Sequence, residues 1–173
     1  RNPPGQLHGV GADIPGGVIG KDDTGRLTGF LAEAACGPLR RLTAWSPEQL
    51  DAACDQAARY FNALGYTGFK EPSASAADLA AYARACDSGR MTLHMAAHIT
   101  AFSPLSGHSL SLGEIRALRA EYERPGLRLG FSKLFLDGVA PSHTASFLAP
   151  YLPRPGYDPA LHAPDTTLLM TTE

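Results

Sequence analysis

Residues Tyr66–Phe102 read YTGFKEPSASAADLAAYARACDSGRMTLHMAAHITAF. YTGFKE has the composition of a short strand. Ser75 and Asp78 then stand at capping distance ahead of an alanine-rich helix, and Gly89 is placed to stop it. MTLHMAAHITAF returns to a strand. A strand, a helix and a second strand in this order form a βαβ unit, because parallel strands need a crossover. This stretch therefore sets the expected class as α/β with a parallel sheet.

The pattern continues on both sides. SPEQLDAACDQAARYFNALG, Ser46–Gly65, is the clearest helix. Ser46 is its N-cap, Pro47 suits the first helical position, and Gln49 completes a capping box. Leu50, Ala53, Cys54, Ala57, Phe61 and Leu64 share one face. On the other side, SLGEIRALRAEYERPG is a helix with a Ser111–Glu114 capping box, and LRLGFSKLFLDG is a third strand. Upstream, GVIGKDDTGRLTGFLAE, Gly17–Glu33, reads as a hairpin about the turn DDTG. The expected organisation is a loop and β-hairpin segment over residues 1–45 and a β/α segment over 46–173. Thr171 or Thr172 followed by Glu173 looks like a helix start, so the chain is expected to be cut from a longer fold.

The chain has 173 residues, a net charge of -2 and 18% charged residues. This balance points away from nucleic acid and from a membrane surface. No apolar run has transmembrane length, and no signal segment opens the chain. Cys36, Cys54 and Cys86 are odd in number and widely spaced, which favours reduced thiols and a cytoplasmic setting. GVGAD, Gly9–Asp13, is not a dinucleotide loop, because the third glycine would fall on Ile14.

Ligands of parallel α/β sheets sit at the carboxyl ends of the strands. That rule selects Lys70, Glu71, His98, Lys133 and Asp137. Lys70 and Glu71 are neighbours, so only one can face a site; solvated charges are the simpler reading. His94 and His98 share a face of a strand. They read as hydrogen-bonded core histidines or, for His98, as a site residue. Lys133 lies between Phe131, Leu134 and Phe135, an apolar setting for a hydrated ammonium. An edge position or a pairing with Asp137 would explain it. So would a lowered pKa, because a neutral amine can add carbon dioxide and become an anionic carbamate. A carboxylated lysine can bridge two metal ions about 3.5–4 Å apart.

Two stretches resemble a known family. PGGVIGKDDTGRLTGFLAEAA, Pro15–Ala35, is similar to the P-G-G-x-I-x-(basic)-D-x-x-G-x-x-T-G-x-L-x-E segment of the amidohydrolase superfamily, in its amidohydrolase family 3 branch. LGFSKLFLDGVAPSHTASFLAPY, Leu129–Tyr151, is similar to that branch's K-x-F-x-D-G segment, which runs on to A-x-x-x-x-P-Y. The resemblance implies part of a (β/α)8 TIM barrel, with about three βα units present. It implies a metal-dependent hydrolase of amide or other non-peptide C–N bonds, with a divalent metal, zinc foremost, and a small-molecule substrate. Counting TGFKE as strand two places Lys133 at strand four, where the family carries its bridging lysine. Glu71, His98 and Asp137 become strand-end or substrate-binding candidates.

The chain also departs from the family pattern. It has no H-x-H pair and nothing like the later histidine segments. With one ligand of about six, the chain alone is expected to hold no metal and to be inactive, needing the remainder of the barrel. A homo-oligomer is compatible with the sequence. The alternative is a non-catalytic α/β domain that binds a ligand or partner and has lost the metal site.

Overall fold

Three serines start the helices of the parallel region, each through the same reciprocal pair of hydrogen bonds. In the computed structural model, the Ser46 hydroxyl accepts from the Gln49 N–H at 3.3 Å, and the Gln49 side chain accepts from the Ser46 N–H at 2.8 Å. Ser75 with Asp78 and Ser111 with Glu114 repeat the arrangement. Each box satisfies two backbone donors that the first turn leaves unpaired. The structure describes residues 14, 17–103, 107–142, 145–149 and 151–152. Gly9–Asp13 and Thr171–Glu173, which figure in the sequence reading, lie outside them.

The chain divides into two units. Among the described residues, one unit takes in 14, 17–43, 107 and those from 135 onward; the other takes in 44–103 and 108–134. The first unit holds a hairpin, β1 Gly17–Lys21 and β2 Leu27–Glu33, paired antiparallel as the turn signal predicts. Its turn is held by Asp22. That carboxylate accepts from the Thr24 N–H at 2.9 Å, the Thr24 hydroxyl at 2.7 Å and the Arg26 N–H at 3.0 Å. A short helix, α1 Gly37–Leu42, follows β2 and was not legible in the sequence.

The second unit runs α2 Pro47–Ala63, β3 Gly68–Ala74, α3 Ala76–Asp87, β4 His94–Ser103, β5 His108–Ser109, α4 Leu112–Tyr122 and β6 Leu127–Leu134. β4 is central, with β3 and β6 parallel on either side. This is the βαβαβ order expected from the alternation of strands and helices up to Gly138. β5, which the sequence reading missed, pairs antiparallel with the end of β4 at Phe102 and Ser103. Among the described residues the sheet does not close into a barrel.

The strand ends differ from expectation. β3 runs to Ala74 rather than stopping at Glu71, and β6 stops at Leu134 rather than Gly138. β3 passes through Pro72 because that residue stands at a bulge on an edge strand, where a missing N–H costs no ladder bond. Along β4, Met95, Ala97, Ile99, Ala101 and Ser103 are buried while the residues between them are less so. Met95, Ala97 and Ile99 pack with Leu79 and Ala83 of α3 and with Leu127 and Leu129 of β6. Ile115, Leu118 and Tyr122 of α4 lie against the same cluster. α3 and α4 thus cover one face of the sheet. α2 packs on α3 through Cys54, Ala81 and Ala85, whose small side chains allow close approach.

Candidate functional site

The face of the sheet opposite α3 and α4 carries the residues with chemistry. A β-bulge puts Lys133 there. β6 is in register with β4 as Met95↔Leu127 and Ala96↔Arg128, and then as His98↔Phe131, Ile99↔Ser132 and Thr100↔Lys133. Leu129 and Gly130 together stand opposite Ala97, so β6 carries one extra residue at this step. Leu127 and Leu129 face the helices, 0% and 2% exposed. After the bulge, Phe131 and Lys133 emerge on the other face beside His98 and Thr100. Unbroken alternation from Leu129 would have driven Lys133 into the helix-packed core. The bulge therefore answers why a lysine sits in this apolar run, and it leaves Lys133 half-buried near the carboxyl end of its strand.

His98 lies beside it. Its Nδ1 is 2.9 Å from the Glu71 carbonyl oxygen. A carbonyl can only accept, so Nδ1 carries the proton and Nε2 of the neutral ring keeps its lone pair. The ring lies 4.9 Å from the Phe131 ring, tilted by 34°. The Thr100 and Ser73 hydroxyls are 2.9 Å apart on the same face. Lys70 is on this face too, in register with Ala96, and its Nζ stands 6.0 Å from the centre of the Phe131 ring.

Glu71 is not brought to this face. It pairs in register with Ala97 and so points to the helix side, where its carboxylate accepts from the Ser73 N–H at 3.0 Å. There it lines a cavity of about 380 Å³ with Tyr82, Asp78 and Cys54. Burial, with the Glu71 charge next, pushes the Tyr82 phenol well above its usual range. Burial likewise raises the Cys54 and Cys86 thiols, so neither is an activated nucleophile. Asp137 belongs to the other unit, where its carboxylate accepts from the Ser146 N–H at 2.9 Å. Of the five residues selected from the sequence, Lys70, His98 and Lys133 share a face of the sheet, so of the neighbours Lys70 and Glu71 it is Lys70 that faces this side. The bulge that decides this left no sequence signal beyond Gly130 within a strand.

A family model of the amidohydrolase family matches residues 5–171. The chain belongs to the amidohydrolase family. No curated protein and no solved structure matches this amidohydrolase-family chain at a significant level. The family implies a metal, and the residues present do not fit one by themselves. Among the described residues, no group of three or more His, Cys, Asp or Glu is placed to hold an ion. His98 offers one nitrogen and Lys133 one amine, short of the three protein ligands a catalytic ion needs. No helix among the described residues is long and apolar enough to cross a membrane.

Proposed function

We propose that this chain carries the central strands of a (β/α)8 hydrolase that cleaves an amide or other non-peptide C–N bond of a small molecule. In this reading the enzyme is metal-dependent, with zinc foremost, and works in a reducing, cytoplasmic setting. Lys133 contributes one ligand, and the rest come from other segments of the protein. The observation that carries the proposal is the register shift that delivers Lys133 to the face opposite the helices, beside His98. In a parallel β/α structure that face and those strand ends are where sites are built. The outer edges of β3 and β6 have no strand partner among the described residues, which supports continuation of the sheet on both sides.

Carboxylation of Lys133 would supply its ligand atoms. The amine adds carbon dioxide, a C–N bond forms and a proton leaves, and the resulting carbamate is an anionic ligand. Lys133→Ala in the full reading frame is expected to lose bound metal and hydrolytic activity together. Metal content and turnover equal to the parent protein's would refute the assignment. A protein that binds small ligands without metal or turnover would favour the non-catalytic reading.

A further inference from the structure

Lys70 puts a positive charge on the face that carries Lys133, and that charge specifies a substrate. Lys70 of β3, His98 of β4 and Lys133 of β6 all emerge on it by register. No aspartate or glutamate does so among the described residues of the sheet, because Glu71 turns to the helices. Several acids elsewhere in this unit have partners of their own. Asp78 and Glu114 close capping boxes, and Asp51, Asp55 and Asp87 pair with Arg84, Arg90 and Arg124. Arg128 also faces this side, at the amino end of β6. It lies near Glu123, whose carboxylate Arg119 chiefly, and Arg128 to a lesser degree, hold below the usual range.

Lys70 is the distinctive member. It makes no ion pair among the described residues. Its Nζ stands over the Phe131 ring, 6.0 Å from the centroid. Phe131 is 42% exposed, so an ammonium and an aromatic surface are presented side by side.

We propose that Lys70 and Phe131 form a carboxylate-binding subsite on this face. The chemical class of substrate is then an amide that also bears a carboxylate. Lys70 would hold the anion as a compact point charge, and Phe131 would pack against the adjoining apolar part. This deepens the hydrolase reading, on which its identity as a substrate subsite rests.

The test is binding rather than turnover. Benzoate and benzamide have nearly the same shape and differ in charge, and each is titrated against the whole 173-residue protein by saturation-transfer NMR. Benzoate is expected to bind at least about tenfold tighter than benzamide, with the advantage falling as salt is raised. Lys70→Gln should bring benzoate down to the benzamide level, and Lys70→Arg should restore it. Lys70 is exposed, and circular dichroism checks that both variants fold. Equal binding of the two ligands, no benzoate binding, or benzoate binding untouched by Lys70→Gln would each overturn the subsite. A Lys133→Ala enzyme that kept metal and turnover would sink the hydrolase assignment and leave these comparisons standing.

Discussion

At Tyr82 the fold acts on a single hydroxyl. Burial and the neighbouring Glu71 charge keep the phenol protonated beyond its ordinary value of 10.0. A raised pKa in the folded state means that the unfolded chain releases the proton first as pH rises. The stabilising contribution is therefore complete below pH 10 and is lost as pH climbs through the raised value. Alkaline titration followed by ultraviolet absorbance should show one tyrosine ionising last, and Tyr82→Phe should remove that step. If all tyrosines titrate together near the ordinary value, the burial of Tyr82 is misjudged. Leu79 tests packing at the same scale. It is 0% exposed in the cluster with Met95, Ile99 and Leu127. Leu79→Ala should cost about 2–5 kcal/mol, read from the urea midpoint at unchanged slope.

At the scale of the element, the helices follow from local chemistry, and the face shown by the end of β6 does not. Ser46, Ser75 and Ser111, each three residues ahead of Gln49, Asp78 and Glu114, were legible as caps and are caps. Ser111→Ala should lose about 1 kcal/mol through unpaired donors in the first turn, measurable by thermal unfolding. The β6 bulge makes a sharper prediction through two deletions. Removing Gly130 takes out the extra residue and leaves Phe131 and Lys133 opposite His98 and Thr100, so the protein should fold with stability close to the parent's. Removing Ser132 instead moves Lys133 opposite Ile99, on the helix-packed side. Burying that ammonium should cost several kcal/mol or abolish folding. Equal effects of the two deletions, compared by chemical denaturation, would refute the register argument.

For the whole molecule, the expected ligand count of the metal centre gives the outcome. Among the described residues no group of three or more His, Cys, Asp or Glu is placed to hold an ion, Lys133 would add one ligand, and catalytic sites hold an ion with three or more protein ligands. Calorimetric titration of the 173-residue chain with zinc should show no stoichiometric site of micromolar affinity or tighter. Such a site, lost on Lys133→Ala, would mean that the ligand set has been misassigned.

The order of strands and helices, the caps, the hairpin turn and the family were all readable from the chain. Each rests on residues close in sequence: a serine three places from its partner, a glycine after a helix, a motif of adjacent positions. β5 and α1 were not readable, since two residues and a single short turn leave no periodicity to detect. The composition of the site face was hidden for a different reason. Side chains alternate strictly along a strand, so one extra residue reverses every face after it. That reversal is visible only against the neighbouring strand. Lys133 was legible as an anomaly. Phe131 shares its face by alternation alone, but its company of His98 and Lys70, and the loss of Glu71 to the helix side, were decided by the pairing of β3 and β6 with β4.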